Sequence, residues 1–147
     1  MKIDCYVVNV EAVVYDGDRY LMAFRSEQEA HAPGTLALPG GKVENVTDME
    51  SVLEETARRE VHEEVGVEVT DFQYVRSNVF GDVSPCINVV FLCRYVSGLP
   101  AARDPAEVSA VQWMTLAEAL AHPKTPPWIA RSLTRADQMR RLPPEGD

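Results

Sequence analysis

Cysteine, aromatic residues and basic residues are all scarce in this chain of 147 residues. The three cysteines, Cys5, Cys86 and Cys93, form no C-x-x-C pair, and the three histidines are scattered. This spacing argues against a zinc site or a disulfide framework and favours reduced, mostly buried thiols. No apolar run is long enough to span a membrane, and the N-terminal residues include an acid where a signal peptide is apolar. We therefore expect a cytoplasmic protein with no membrane partner.

Negative charge dominates what is present, with 23 acidic residues against 14 Lys and Arg and a formal charge of −9. A net acidic protein is a poor candidate for binding along a nucleic acid backbone, so no nucleic acid polymer is expected as a partner. The acids are concentrated between Glu44 and Asp71. An acidic patch can still bind phosphates when divalent cations reverse its local charge.

Hydrophobic periodicity predicts a single domain over residues 1–147, with an α/β (α+β) fold and helices on the faces of a mixed sheet. An apolar stripe repeating every four residues predicts a helix from Met49 to Val65, with Thr47 or Asp48 as its cap and Gly66 as its end. Strands are predicted at 6–15, 19–25, 36–38, 71–79, 87–96 and 108–114, and further helices at 116–121 and 128–140.

Three glutamates on the first predicted helix carry the clearest chemical signal. Glu60, Glu63 and Glu64 are spaced i, i+3 and i+4, so their carboxylates project from one helix face. Like charges in that arrangement repel one another, and a bound cation would remove the repulsion. Oxygen ligands suit Mg²⁺, with Mn²⁺ as a possible substitute. The sequence Pro39-Gly40-Gly41 lies about twenty residues upstream and predicts an abrupt turn after a short strand.

Together these segments resemble the Nudix hydrolase family, whose box is G-x5-E-x7-R-E-U-x-E-E-x-G-U with U aliphatic. The C-terminal half of the box, within residues 41–67, matches at every defined position: Arg59, Glu60, Val61, Glu63, Glu64, Gly66 and Val67. The middle departs from the pattern, because Gly41 and Arg59 lie about four positions further apart than in the family. Ser51 therefore stands where the family has a glutamate, with Glu50 adjacent.

The resemblance implies an α/β/α sandwich around a mixed sheet and a Mg²⁺-dependent pyrophosphohydrolase of the MutT-like type. The substrate would be a nucleoside triphosphate, or a nucleoside diphosphate linked to another group. Glu60, Glu63 and Glu64 would bind the metal with the Gly40 carbonyl, and Glu63 or Glu64 would lie closest to the catalytic ion. Arg59 would support a carboxylate of this cluster, although an ordinary i, i+4 pair with Glu63 is an equally good interpretation.

Five further residues are candidates by the same resemblance. Glu107 is a further metal ligand or base, or else an exposed loop acid. Substrate contacts are assigned to Arg25, Gly41, Glu44 and Trp128, with a surface position as the alternative for Arg25. For Trp128 the alternative is a position in the core, and Phe80 is expected in the core. Contacts that choose the base and leaving group are expected from the loops at 26–35, 80–86 and 99–107.

A different class of function stays open at this stage, which is a nucleotide-sensing regulatory Nudix domain without turnover. The displaced glutamate of the box leaves this alternative open, whereas the intact helix glutamates favour an enzyme. A homodimer is possible by analogy with the family.

Overall fold

The computed structural model describes residues 5–81 and 85–142 and contains a seven-stranded sheet. The strands and helices follow one another as β1 Val7–Asp16, β2 Arg19–Arg25, β3 Leu36–Ala37, β4 Gly40–Lys42, α1 Val52–Val65, β5 Glu68–Phe80, β6 Cys86–Ser97, β7 Val108–Thr115, α2 Leu116–Ala121 and α3 Pro127–Arg141. The predicted elements are all present within a few residues of their expected bounds, and β4 is an addition.

The sheet is mixed, with strand order β3-β2-β1-β6-β5, while β4 pairs with β1 and β7 pairs with β2. Strands β1 and β6 are parallel, and the other described pairs are antiparallel. Gly17, at φ 61°, lies in the two-residue turn between the paired residues Asp16 and Arg19. Glycine adopts this left-handed conformation without a steric penalty, which explains the predicted hairpin.

Alternation along β1 divides the core between the two faces of the sheet. Val10, Ala12 and Val14 face α1, whose residues Val61 and Val65 are fully buried. Val13 faces the opposite way, into a cluster that includes the α3 residues Ile129, Leu133 and Ala136. Because each face of the sheet is covered by a helix, the predicted α/β/α sandwich around a mixed sheet is confirmed.

The predicted cap of α1 was wrong. The helix begins at Val52, and its N-cap residue Ser51 has φ 52° and makes no side-chain cap hydrogen bond. Asn45 and Asp48 also have positive φ, so the lengthened loop turns through left-handed residues and does not continue as helix. The predicted end was right: Gly66 has φ 79°, and its N–H donates to the His62 carbonyl.

Strand β5 lies at one edge of the sheet and is irregular along its length. Its pairing with β6 shifts register at three places, between Glu68 and Val69, between Thr70 and Gln73, and between Tyr74 and Arg76. Asp71 has φ 58°. Each shift interrupts the regular spacing of backbone donors and acceptors along the strand.

Two of the three cysteines are buried, Cys86 and Cys93, while Cys5 is exposed, and all three are free thiols. Burial raises the pKa of Cys93 to about 12, so this thiol stays protonated and inert. Across the two described ranges, no helix is both long enough and apolar enough to cross a membrane.

Candidate active site

One cavity of about 910 Å³ opens beside α1, β4 and the N-terminal end of α3. Its volume falls in the range of sites that enclose a small organic ligand. Of the residues predicted for the site, all except Arg59 line this cavity: Arg25, Gly40, Gly41, Glu44, Glu60, Glu63, Glu64, Glu107 and Trp128. Residues far apart in sequence therefore meet at one place in the fold.

The carboxyl group of Glu64 is the most perturbed acid of the site. Glu64 is only 7% exposed, whereas Glu63, one residue earlier on α1, is exposed. Burial raises the pKa of Glu64 to about 9, and the nearby Glu107, which shares a hydrogen bond with it, and Glu60 act in the same direction. A hydrogen bond from the Gly40 backbone opposes the rise. The structure therefore gathers carboxyl groups where water solvates their charged forms poorly.

The charge of Glu60 is better compensated than that of Glu64. Burial raises its pKa, and the hydrogen bond and charge of Arg59 oppose that rise. The Arg59 guanidinium donates to the Glu60 carboxylate at 3.0 Å and to the Lys42 carbonyl at 3.2 Å. Arg59 thus joins α1 to β4 and holds one glutamate of the cluster, and the alternative pair with Glu63 is not formed.

Both glycines of β4 are required by close packing. A Cβ atom on Gly40 would collide with the Val10 carbonyl, and one on Gly41 would collide with the Glu60 side chain. The backbone hydrogen bonds from Ala12 to Pro39 and from Val43 to Val8 make Glu11 and Gly40 a non-hydrogen-bonded pair of the β1–β4 ladder. The N–H and C=O of Gly40 are therefore left free by β1 and available to the α1 side.

The donor set fits a hard divalent cation, because Glu60, Glu63, Glu64 and Glu107 offer only oxygen atoms. No Lys or Arg in the described part of the chain contacts the Glu64 carboxyl group. The same residues do not form a ready-made cage: over the described ranges, no three His, Cys, Asp or Glu side chains converge as a metal site. Glu60 is paired with Arg59, and Glu63 lines the cavity as an exposed side chain.

Aromatic residues flank the mouth of the cavity. Phe80 and Trp128 are 43% and 40% exposed, and the His31 ring lies 6.0 Å from each of them. The expected core position of Phe80 was therefore wrong, because β5 ends at the cavity and leaves its last side chain uncovered. Arg25 donates to the His31 carbonyl at 2.8 Å and to Glu29 at 3.2 Å, so it organises the loop at 26–35. Residues 82–84 of the predicted loop at 80–86 lie outside the described residues.

The sequence analysis missed a polar floor of the cavity, formed by Asn9 and Glu11 on β1, Asn88 on β6, and Arg76 and Asn78 on β5. Asn9 and Glu11 interrupt the apolar pattern of β1, and Asn88 interrupts that of β6. Polar residues inside otherwise buried strands are a signal that could have identified this floor. Burial raises the pKa of Glu11, while the hydrogen bond from Asn88 and the charges of Arg25 and Arg76 oppose the rise.

Comparison with known proteins agrees with this architecture. The family model described as the NUDIX domain matches residues 6–136, so the chain belongs to the Nudix family. No curated protein sequence matches the chain. Among solved structures, the MutT NUDIX hydrolase from Burkholderia pseudomallei is 24% identical with a TM-score of 0.74, covering 90% of this chain and 98% of its own.

Two further structures are similar over nearly the whole chain. The MutT protein from Methanosarcina mazei Go1 is 26% identical with a TM-score of 0.73, covering 93% of this chain and 96% of its own. The NUDIX domain of NrtR from Shewanella oneidensis, complexed with ADP ribose, is 23% identical with a TM-score of 0.69, covering 94% of this chain and 88% of its own. At 23% and 24% identity, the likeness shows the fold alone.

The prediction of a MutT-like Nudix hydrolase is confirmed by the family match and these structures. Membership supports hydrolysis of a pyrophosphate bond in general terms, and a divalent metal such as Mg²⁺ is typical of the family.

Proposed function

We propose that this protein hydrolyses a pyrophosphate bond in a nucleoside triphosphate, or in a nucleoside diphosphate linked to another group, with Mg²⁺ as its cofactor and Mn²⁺ as a possible substitute. The observation that carries the proposal is the buried Glu64 carboxyl group, which shares a hydrogen bond with Glu107 and lines, with Glu60, a cavity large enough for a nucleotide. A divalent cation at this end would neutralise substrate phosphates and lower the pKa of a bound water.

The residues of the chain divide the remaining tasks. Glu60, Glu63, Glu64 and Glu107 supply oxygen ligands, and the free carbonyl of Gly40 can join them. Arg59 holds Glu60 at 3.0 Å, which limits the rotations open to that carboxylate. Gly41 lies so close to the Glu60 side chain that a Cβ atom there would displace this carboxylate.

A turnover assay with matched variants tests the proposal. Phosphate and pyrophosphate release is measured from a panel of nucleoside triphosphates, ADP-ribose and nucleotide sugars, with Mg²⁺ and with Mn²⁺. Glu63→Gln and Glu64→Gln are expected to lower kcat/KM by roughly a hundredfold or more, as removal of other electrostatic catalytic groups does. Glu54→Gln is the control, because Glu54 lies on the same helix outside the cavity.

Two results would contradict the proposal. One is the absence of turnover with either metal across the panel, combined with a nucleotide-dependent rise in Tm, which would indicate a binding domain. The other is a wild-type rate in both Glu63→Gln and Glu64→Gln, which would place the chemistry elsewhere in the cavity.

A further inference from the structure

The connection from β6 to β7 crosses the C-terminal end of α1 through residues 98–104, which we call the strap. Helix α1 ends at Val65, so the carbonyls of Glu64 and Val65 have no later helical N–H to accept from. The strap supplies both donors. The Arg103 N–H donates to the Glu64 carbonyl at 2.9 Å, and the Ala101 N–H donates to the Val65 carbonyl at 3.0 Å. The strap is therefore hydrogen-bonded to the residue that carries the buried carboxyl group of the site.

Two glycines allow the strap to lie directly on the end of the helix. Gly98 has φ 105°, and a Cβ atom on it would lie 2.5 Å from the Gly66 carbonyl oxygen and 3.0 Å from the Val67 Cα. A Cβ atom on Gly66 would lie 2.7 Å from Nε of Arg103. The Gly98 carbonyl also accepts a hydrogen bond from the Tyr95 hydroxyl at 2.5 Å. Because the atoms opposite Gly98 are backbone atoms, a side chain at this position moves the strap away from α1.

Glu107 follows the strap after a tight turn. The Asp104 carbonyl accepts from the Glu107 N–H at 3.0 Å, and the Glu107 carbonyl accepts from the Ser26 N–H at 2.8 Å. Strand β7 begins at the next residue. The backbone of Glu107 is thus held on one side by the sheet and on the other by the hydrogen bond from Arg103 to Glu64.

This arrangement sets the spacing of two carboxyl groups in the cavity. Glu64 and Glu107 both line the cavity, and their side chains share a hydrogen bond. Oxygen ligands of one Mg²⁺ lie about 3 Å apart, since each is about 2.1 Å from the ion in octahedral geometry. Ionised carboxylates repel each other and separate unless the backbone that carries them is held. A cation that meets them already close together is bound without the entropic cost of ordering the loop.

We propose that Gly98 and Arg103 are positioning residues, which fasten the strap to the end of α1 and so hold Glu107 close enough to Glu64 for both to bind one divalent cation. This inference rests on the proposed function, because it takes that cation to be bound beside Glu64. Neither positioning residue touches the reacting atoms, and the effect of both passes through Glu107. The backbone N–H of Arg103 performs this role, and its exposed side chain is not needed for it.

Binding of Mn²⁺ in the absence of nucleotide, followed by the EPR signal of the free ion, tests this inference without requiring turnover. Arg103→Pro removes the N–H that donates to Glu64, whereas Arg103→Ala keeps it. Mn²⁺ binding should weaken about tenfold in Arg103→Pro and in Gly98→Ala, as expected for the loss of a backbone hydrogen bond, and stay at the wild-type level in Arg103→Ala. Gly17→Ala is the control for the strain of a positive φ, because nothing lies within 4 Å of its Cβ, and it should leave Mn²⁺ binding unchanged.

A double-variant cycle shows whether the strap acts through Glu107. Once Glu107 has been replaced by Gln, Arg103→Pro should weaken Mn²⁺ binding no further, so the two effects are not additive. A strap that only stabilises the fold would weaken binding equally in both backgrounds. If Arg103→Pro fails to fold, the same cycle is measured with Gly98→Ala.

Additive effects of Arg103→Pro and Glu107→Gln would overturn the inference. So would wild-type Mn²⁺ affinity in folded Gly98→Ala or Arg103→Pro, or an Arg103→Ala variant as impaired as Arg103→Pro. Weaker Mn²⁺ binding in the strap variants, combined with no turnover of any nucleotide by the wild type, would overturn the proposed hydrolase function and leave the role of the strap intact. Turnover by the wild type, with Mn²⁺ affinity unchanged in both strap variants, would do the reverse.

Discussion

Replacing Glu64 by Gln should stabilise the metal-free protein while abolishing its activity. At pH 7 the folded protein retains a proton on Glu64, whose pKa is about 9, whereas the unfolded chain, with an ordinary value of 4.5, has released it. Retaining that proton from pH 4.5 to pH 7 costs about 3 kcal/mol of folding stability, at about 1.4 kcal/mol for each pH unit. The cost is absent below pH 4.5 and grows as the pH rises towards 9.

Glutamine has the shape of the protonated carboxyl group and does not titrate, so the variant does not lose this folding stability as the pH rises. Its amide can donate to Glu107 and its carbonyl can accept from Gly40, so the packing is preserved. Urea unfolding in EDTA should therefore show wild type and Glu64→Gln nearly equal at pH 5, with the variant more stable by about 3 kcal/mol at pH 7. For a chain of this length, that difference corresponds to a Tm increase of roughly 6–12 °C.

The quantity to compare is the difference in free energy of unfolding between wild type and Glu64→Gln, because all other titrating groups are common to both. Addition of Mg²⁺ should stabilise the wild type and have little effect on the variant. A stability difference that stays constant between pH 5 and pH 8, or a variant less stable than wild type at pH 7, would refute the account of Glu64 as a buried acid deprived of a counter-charge.

Further variants separate stability from activity. Gly41→Ala should lower activity more than tenfold with little change in Tm, because the added Cβ displaces only the flexible Glu60 side chain. Gly40→Ala should instead lower the free energy of unfolding in urea by about 1–3 kcal/mol, because its Cβ meets backbone atoms of β1. Thr115→Ala removes the capping box of α2 and should cost about 1 kcal/mol with normal turnover. Arg140→Ala loses a guanidinium 3.9 Å from the Tyr15 ring and should likewise lower Tm without affecting kcat/KM.

Long periodic segments could be predicted from the sequence, because their signal is repeated several times. The stripe of α1 and the alternation of β1 each involve many residues, so local irregularities do not obscure them. Strand β4 was expected only as a turn, because three residues are too few to show an alternation. Its existence depends on how closely Gly40 and Gly41 approach β1 and α1, which is a tertiary property.

The box glutamates and the polar floor of the cavity also differ in how well the sequence predicts them. The glutamates of the box lie within five consecutive positions, so their shared helix face could be read from spacing. Glu11 and Asn88 are 77 residues apart and meet only because β1 and β6 pair in parallel with Asn9 opposite Asn88. Register between distant strands is not encoded locally, so the sequence shows polar residues within β1 and β6 but does not show that they meet.

The irregular pairing of β5 also bears on how this chain behaves beside other copies of itself. An uncovered strand of thirteen residues is a ready template for edge-to-edge growth into larger aggregates. The three register shifts and the left-handed Asp71 disfavour a continuous ladder with a second strand along it. We therefore expect the open edge of the sheet to resist edge-to-edge association, and an engineered variant with a regular β5 to precipitate.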